Sequence, residues 1–282
     1  MKGKLVKVCS NGYTVRVDGI DYPSKARGKL KLSSLNLAVG DEVEYEKGVI
    51  VKVYERRNSL IRPRVSNIDG VVIVIASEPK PDYYLVDKVL IASKKLDVET
   101  LIVVNKSDKE NYLYNEVKSQ YDSVCKVITA SAKDKLGISE IKEFIKGKTV
   151  VLAGQSAVGK TSLINAIFSL DLKVGELSEK ISRGKHTTTY SEIFEKDEMR
   201  IIDTPGFAVI EAEVTEDEIA SFYPEYFDLS VNCRFRSCTH LSEPDCAVIS
   251  AVERGELSKE RYLRYKEIIT EIKNRRKDYG KN

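Results

Sequence analysis

The sequence predicts an α/β protein in which a doubly wound parallel sheet stands between a small β-barrel and a mostly helical region. Strand-like and helix-like segments alternate from residue 70 to residue 168, as they do where crossover helices connect parallel strands. Short strand patterns separated by turns fill residues 1–65, and the tail holds a cluster of cysteines with a histidine. These observations divide the chain into predicted domains 1–65, 66–214 and 215–282.

The first domain reads as a barrel of short strands. Polar and apolar residues alternate in Lys4–Val8 and Tyr13–Asp18, on either side of a turn at Asn11–Gly12. Further strands are predicted at Glu42–Tyr45 and Gly48–Tyr54. Roughly five short strands in a small basic domain are typical of an OB-like barrel, a fold often used on nucleic acid, and an SH3-like barrel would give a similar pattern.

The middle of the chain predicts the sheet. Val71–Ile75 is wholly apolar, as expected of a strand buried on both faces. The segments after it are predicted as helix 83–95, strand 101–104, helix 112–121, strand 124–129, helix 138–145, strand 149–153 and helix 161–168. The tail is predicted mostly helical, and its last helix places a packing stripe at Tyr262, Tyr265, Ile268, Ile269 and Ile272.

The distribution of charge and the hydropathy of the sequence bear on its binding partners and its location. Residues 1–66 hold 14 Lys and Arg against 7 Asp and Glu, residues 255–282 hold 9 against 5, and residues 67–254 hold 23 against 31. Basic ends around an acidic centre suggest contact with a polyanion, with ordinary surface charge as the alternative. The longest apolar run, Val71–Ala76, is far shorter than the ~20 residues of a membrane span, and no secretory signal is visible. A cytoplasmic protein without a membrane partner is therefore expected.

A phosphate-binding loop follows the strand that ends at Ala153. The segment Gly154–Thr161 fits the pattern G-x-x-x-x-G-K-[ST] between a strand and a helix, which is the context that the pattern requires. Glycines let backbone N–H groups wrap a phosphate, Lys160 would contact the β- and γ-phosphates, and the Thr161 hydroxyl would ligate Mg²⁺. The predicted nucleotide-binding residues here are Gly154, Gln155, Ser156, Ala157, Val158, Gly159, Lys160, Thr161 and Ser162.

Two further segments would complete the part of the predicted nucleotide site that binds the phosphates and Mg²⁺. Asp203–Gly206 reads D-T-P-G after a strand, so Asp203 is expected to face Mg²⁺ and the Gly206 N–H to approach a γ-phosphate. Between these motifs, the sequence S-R-G-K-H-T-T-T resembles a switch segment, in which Thr188 or Thr189 would complete the Mg²⁺ shell. A flexible surface loop is the alternative interpretation.

Base recognition is predicted at two strand ends. The motif N-K-x-D is formed by Asn105, Lys106, Ser107 and Asp108, and the motif S-A-K by Ser131, Ala132 and Lys133. The Asp108 carboxylate can accept hydrogen bonds from N1–H and the 2-amino group of guanine, whereas adenine offers neither donor. The stem of Lys106 would lie over the base, and Ser131–Lys133 would supply a backbone N–H to guanine O6. These motifs together predict binding of GTP and GDP.

The order of the motifs is unusual. Ordinary GTPases place the phosphate loop before the base-reading motifs, whereas here the base-reading motifs come first and Asp203–Gly206 comes last. Joined termini and a new opening in a sheet fold produce such a circular permutation. Phe207 also stands where other GTPases carry a glutamine that orients water, so slow intrinsic hydrolysis is expected. His186 is a candidate catalytic helper, or alternatively a switch residue that contacts a partner.

A second site is predicted in the tail. Cys233, Cys238, His240 and Cys246 offer three thiolates and one imidazole, a complete tetrahedral shell for one Zn²⁺ with no open position. Such a site is structural rather than catalytic. Chance clustering of free cysteines is the alternative.

These residues together resemble the ribosome-small-subunit-dependent GTPase A family, RsgA, also called YjeQ or YloQ, over essentially the whole chain. The resemblance rests on the permuted motifs, on Cys233–His240 and Glu243–Val248, and on a linker at Arg57–Pro63. It implies a circularly permuted P-loop GTPase domain with an N-terminal OB-like β-barrel and a C-terminal mostly α-helical zinc domain. Ala157 departs from the glycine that many members carry, and only a small effect is expected.

The resemblance also implies a function. A late factor in assembly of the small (30S) ribosomal subunit is expected, with rRNA contacts by both terminal domains and GTPase activity that the subunit stimulates. Nothing in the sequence suggests more than a monomer. A nucleotide-gated RNA-binding scaffold with negligible turnover stays open as an alternative. A GTPase acting on tRNA is excluded only by the resemblance, and the absence of an apolar or lipidated segment argues against a GTPase acting at a membrane.

Overall fold

The computed structural model describes residues 1–9, 12–28, 36–61, 63–108, 112–170, 191–203 and 214–279. Its first five strands are β1 (Lys2–Cys9), β2 (Gly12–Val17), β3 (Ile20–Ala26), β4 (Glu42–Glu46) and β5 (Val49–Val53). They run in the order β1-β2-β3-β5-β4, and β4 pairs back with β1 to close a barrel. Only β3 and β5 pair in parallel among these strands. This closed Greek-key order is the OB-type barrel, so the SH3-like alternative is not the fold found.

Alternation along the strands explains the barrel's core. Leu5, Val15, Val43 and Ile50 are fully buried inside it, while their neighbours along each strand are more exposed, except Val6, which is buried in the core of the parallel sheet. Side chains that point to opposite faces of a strand make this pattern possible.

A parallel sheet follows the barrel. A short hairpin, β6 (Ser59–Leu60) and β7 (Val65–Ser66), leads into it. The remaining strands are β8 (Gly70–Ile75), β9 (Glu99–Val104), β10 (Lys126–Thr129), β11 (Thr149–Ala153), β12 (Ser191–Lys196) and β13 (Met199–Asp203). Their order is β10-β9-β8-β11-β13-β12, and all neighbours are parallel except the antiparallel pair β12 and β13.

Helices cover both faces of this sheet. They are α1 (Tyr83–Lys95), α2 (Tyr112–Tyr121), α3 (Ile138–Ile145) and α4 (Lys160–Phe168). The first two pack in one hydrophobic core with the sheet and the last two in another. The predicted doubly wound arrangement is therefore confirmed.

The barrel and the parallel sheet are continuous. β1 pairs antiparallel with β12, with Lys7 opposite Glu192 and Val8 opposite Ser191. The described residues thus form one eleven-stranded sheet in addition to the β6–β7 hairpin. The fully buried Asp41 also links the barrel to the β6–β7 hairpin, because it accepts hydrogen bonds from the Arg56 guanidinium and from the Ser66 hydroxyl on β7.

The C-terminal region is helical, as predicted. Its helices are α5 (Glu216–Ile219), a 3-10 turn (Ala220–Phe222), α6 (Pro224–Ser230), α7 (Ala247–Glu253) and α8 (Lys259–Tyr279). The predicted stripe on α8 lies in the core, which also contains Tyr223 and Tyr226. None of the helices in the described part of the chain combines the length and apolar character that crossing a bilayer requires.

Candidate nucleotide site and candidate metal centre

The predicted nucleotide motifs meet at one edge of the sheet. β8, β9, β10, β11 and β13 are parallel, so their carboxyl ends lie side by side. The N-K-x-D, S-A-K and phosphate-loop motifs follow β9, β10 and β11 respectively, and Asp203, the first residue of the D-T-P-G motif, is the last residue of β13. This edge is where open α/β sheets bind ligands.

The phosphate loop is shaped by its backbone. Gly154 has φ +137°, and a Cβ there would lie 2.1 Å from the Val74 carbonyl oxygen. Gly159 has φ +97°, and a Cβ there would lie 2.4 Å from the Asn105 side-chain nitrogen. Both positions therefore require glycine. Ala157 also has a positive φ of 63°, in a loop where glycine would be less strained.

Lys160 begins α4 and folds back over the loop. Its Nζ donates to the carbonyl oxygens of Gly154 and Gln155, each at 2.7 Å. Burial lowers the pKa of Lys160, and the Asp203 carboxylate opposes that shift. Asp203 is itself 5% exposed at the end of β13. A cation and a carboxylate thus share the position predicted for the phosphates and Mg²⁺.

Asn105 joins the base-reading loop to the phosphate loop. Its Nδ2 donates to the Val158 carbonyl oxygen at 2.8 Å, and the side chain packs against Gly159. The residue is 2% exposed, and its Oδ1 has no partner among the described residues. Sequence reasoning placed Asn105 in the base site, and the structure adds that it sets the spacing between the two loops.

Asp108 and Ser131 come together although 23 residues separate them. The Ser131 hydroxyl lies 3.0 Å from Asp108 Oδ1 and 3.1 Å from Asp134 Oδ2, and it accepts from the Asp134 N–H. The Ser107 N–H donates to the Ala130 carbonyl oxygen at 3.0 Å, which ties the two loops by their backbones. Asp108 is exposed, and its carboxylate is contacted by the fully buried Ser131.

One loop of the site was not predicted. Residues 76–82 precede α1 and contact both nucleotide loops. The Asp82 N–H donates to Gln155 Oε1 at 3.0 Å, and Lys106 Nζ donates to the Glu78 carbonyl oxygen at 2.7 Å. The available sequence signal was Asp82 itself, a helix N-cap residue directly after the end of a parallel strand and its short loop.

Several other predicted residues have a position in the described part of the chain, and the rest lie outside it. Thr161 and Ser162 stand in the first turn of α4, Ser156 is exposed in the loop, and Ala132 and Lys133 follow Ser131 at the same edge. The predictions for His186, Thr188, Thr189, Gly206 and Phe207 lie outside the described residues.

The four predicted metal ligands converge in the C-terminal region. Their ligand atoms all lie within 4.8 Å of one another. His240 Nδ1 is 3.4 Å from Cys246 Sγ and 3.7 Å from Cys233 Sγ, and the two sulfurs are 3.9 Å apart. Atoms ~2.3 Å from a tetrahedral zinc lie about 3.7 Å apart, so the residues fit a four-coordinate ion.

The metal cluster is anchored to the last helix. Tyr262 donates its hydroxyl to the His240 carbonyl oxygen at 2.8 Å, and Tyr265 donates to the Thr239 carbonyl oxygen at 2.5 Å. Glu243 accepts hydrogen bonds from the backbone and hydroxyl of Thr239 and from the following N–H groups. Burial acts to raise the pKa of Glu243, but these hydrogen bonds outweigh it and bring the pKa to about 2.

Comparisons with known proteins agree over the whole chain. A family model described as RsgA GTPase matches residues 53–213, and one described as RsgA N-terminal domain matches residues 2–50. The small ribosomal subunit biogenesis GTPase RsgA of Thermotoga petrophila is 39% identical, with 98% of each chain covered. The protein of the same name from Caldanaerobacter subterraneus subsp. tengcongensis is 35% identical, with 100% of this chain and 99% of the relative covered.

Solved structures agree as well. The crystal structure of YjeQ from Thermotoga maritima matches with a TM-score of 0.79 and 35% identity, over 96% of this chain and 98% of that one. The crystal structure of YloQ, described as a circularly permuted GTPase, matches with a TM-score of 0.74 and 32% identity, over 97% and 95%. The permuted order read from the motifs is thereby confirmed.

Proposed function

The chain belongs to the RsgA family of GTPases and hydrolyses GTP, and we propose that it does so on the small (30S) ribosomal subunit, late in that subunit's assembly. The relatives reported above carry the name of small ribosomal subunit biogenesis GTPases. In this proposal the protein is a cytoplasmic monomer with domains at 1–65, 66–214 and 215–282. The two basic ends of the chain would contact rRNA, because phosphates attract clustered Lys and Arg.

The observation that carries the proposal is the contact of the base-reading loop with the phosphate loop. The Asn105 side chain donates to the Val158 carbonyl oxygen and packs against Gly159, and the Ser131 hydroxyl contacts the Asp108 carboxylate. A guanine nucleotide has its base and its phosphates at opposite ends, and a site for it needs both recognition loops at a fixed separation. The Asn105 contact supports such a separation.

The residues have distinct proposed roles. Lys160 would exchange its carbonyl partners for the β- and γ-phosphate oxygens, because a buried ammonium gains most from an anionic partner. Thr161 and Asp203 would hold Mg²⁺, which neutralises charge that develops on the phosphates. Asp108 would accept from guanine, and Lys106 would release Glu78 and cover the base.

The metal centre has a structural role in this proposal. Three cysteines and His240 would bind one Zn²⁺ and leave no ligand position for substrate. Since Tyr262 and Tyr265 bond the ligand loop to α8, the ion would hold the helical region together.

Incomplete catalytic machinery explains why a partner is needed. Phe207 occupies the position of a water-orienting glutamine, and a phenyl ring cannot orient water. Docking on the subunit would then complete the site, with His186 as a candidate group. Phe207 also favours a second candidate function, a nucleotide-gated RNA-binding scaffold that hydrolyses GTP too slowly for turnover to matter.

The test is GTP turnover by the purified protein alone, with small subunits and with large subunits. In GTPases, gain or loss of one side-chain contact that stabilises the transition state changes the rate of GTP hydrolysis by about 10³–10⁵-fold. We expect strong stimulation by small subunits only. Binding to small subunits without stimulation would favour the scaffold, and the absence of binding would refute the proposed partner.

A further inference from the structure

Helix α1 lies between the sheet and the C-terminal region. On one side Leu85, Val86 and Val89 are buried in the core that the helix shares with the sheet. On the other side Ile91 belongs to the C-terminal core, and Lys95 pairs with Glu218 at 2.5 Å. α1 is therefore part of both packing units.

A buried charge cluster fastens the middle of α1 to α8. Asp87 is fully buried and accepts from Arg261 at 3.0 Å and from Arg264. Arg261 is 3% exposed and also donates to Glu225 on α6. Arg264 reaches further, to the side chains of Gln120 and Tyr121 on α2. Two cations and two carboxylates balance, as a buried cluster requires.

The amino-terminal end of the same helix touches the nucleotide loops. Asp82, which caps α1, donates its N–H to Gln155 of the phosphate loop, and Glu78 accepts from Lys106 of the base-reading loop. Asp87 lies little more than one helical turn from that cap, and a turn of helix transmits displacement because its backbone hydrogen bonds are intact.

We propose that Asp87 is a positioning residue for the nucleotide site, which acts through α1 to couple the packing of α8 to nucleotide binding. In this arrangement the two arginines of α8 hold α1, and α1 holds the loop that contacts Gln155 through the Asp82 N–H. This contact does not depend on the one between Lys106 and Glu78, which Lys106 would give up when it covers the base. The inference rests on the nucleotide site proposed above. It gives the C-terminal region a route to that site through residues 76–95, all of which the structure describes.

Coupling between two sites is reciprocal. If α8 supports the nucleotide loops, then bound nucleotide must stabilise the packing of α8 by the same factor, which is typically about 5–150-fold. A purely structural cluster would lower the stability of the protein without linking the two sites.

The first measurement is the release rate of a fluorescent GDP analogue from the full-length protein at a temperature where every variant is folded. Arg264→Gln and Asp87→Asn are expected to accelerate release at least about fivefold. Arg264→Lys keeps a cation opposite Asp87 and should restore slow release. Arg254→Gln is the matched control, because Arg254 forms an exposed ion pair with Glu256 on the same region.

The second measurement is hydrogen exchange of the α8 amides with and without GDP. GDP should slow exchange over residues 259–274 in the unaltered protein and in Arg254→Gln, and it should have little effect in Arg264→Gln. If Asp87→Asn does not fold, Arg264→Gln still decides, since Arg261 continues to pair with Asp87.

The outcomes separate the two proposals. Unchanged GDP release in folded Arg264→Gln, or α8 exchange that GDP does not alter, would overturn the coupling while the nucleotide site stands. An unaltered protein that fails to bind GDP would overturn the nucleotide site and the coupling with it.

Discussion

In the proposed site, guanine recognition would depend on the orientation of the Asp108 carboxylate. Asp108 is exposed, and an exposed side chain ordinarily samples several rotamers, which weakens any pair of simultaneous hydrogen bonds. Ser131 restricts it from a fully buried position, and the Asp134 N–H fixes Ser131 in turn. In the proposed site the S-A-K motif would thus serve base recognition by the Ser131 side chain as well as by its backbone.

Asp108→Asn is expected to shift preference from guanosine to xanthosine nucleotides, because an amide can donate to the 2-oxo group of xanthine. Two charge-assisted hydrogen bonds of about 1.5–3 kcal/mol each are lost with guanine, so GTP affinity should fall by about 100-fold or more. Competition binding with fluorescent nucleotides measures this. Asp122→Asn, on the exposed turn after α2, is the control. Unchanged preference for GTP would refute the base-reading assignment.

The backbone conformation of the phosphate loop predicts a favourable substitution at one residue and a harmful one at another. Ala157→Gly should stabilise the protein by up to about 1 kcal/mol, since relief of the left-handed strain exceeds the added entropy of the unfolded chain. Gly154→Ala should abolish nucleotide binding, because its Cβ would meet the Val74 carbonyl oxygen at 2.1 Å. Urea unfolding and nucleotide titration measure the two effects. A destabilised Ala157→Gly protein would contradict the strain argument.

At the scale of helices and strands, the sequence predicts the bounds of an element when the pattern that defines it lies within that element. Helices α1, α2 and α3 begin and end at the predicted residues, since apolar spacing and flanking turns define them. The two-residue strands β6 and β7 have too few residues to show a period. The pairing of β1 with β12 joins segments more than 180 residues apart, and no local pattern specifies a partner at that distance.

The same limit applies to the site. The phosphate loop was predictable because a strand, glycines and a helix occur in one short segment. The contacts of Gln155 with Asp82 and of Lys106 with Glu78 were not, because each joins residues that are 73 and 28 positions apart in the sequence and depends on how the loop before α1 folds over the sheet edge. The buried ion pairs of Asp87 were not predictable either, since its partners lie on the last helix.

The metal centre should determine the stability of the C-terminal helices. Cys246→Ser removes a buried candidate ligand and is expected to abolish zinc binding and to loosen α8, whose Tyr262 and Tyr265 donate to the ligand loop. Elemental analysis and hydrogen exchange measure the two consequences. Cys125→Ser is the control, because Cys125 lies against the sheet core. A zinc-free protein with undisturbed α8 would contradict this role.

At the scale of the whole molecule, the continuous sheet makes the barrel and the nucleotide-binding region one mechanical unit. An isolated β12 would leave an unpaired edge, and β1 covers it. Glu195 on β12 bridges the two parts, since it accepts from Arg16 on β2 at 2.9 Å and from Arg200 on β13 at 2.8 Å. Movement of the barrel relative to the sheet would break this bridge as well as the strand pairing.

The Glu195 bridge predicts a pH dependence of stability. Burial acts to raise the pKa of Glu195, but hydrogen bonds from Arg200 and Arg16 outweigh it, so the pKa is lowered from 4.5. A carboxylate with a lowered pKa stabilises the fold above its unfolded pKa and loses that contribution as the pH falls through its folded value. At pH 7 the unaltered protein should exceed Glu195→Gln by up to about 1 kcal/mol in free energy of unfolding, because the pair is partly exposed.

Below about pH 4.5 that difference should shrink toward zero, which urea titrations between pH 7 and pH 3 measure. Glu198→Gln, on the exposed turn between β12 and β13, should show no such trend. A difference that grows on acidification, or that is equal for the two variants, would show that Glu195 does not join the barrel to the sheet. The barrel and the parallel sheet are expected to unfold together throughout the titration, because the strands on both sides of the bridge belong to one sheet.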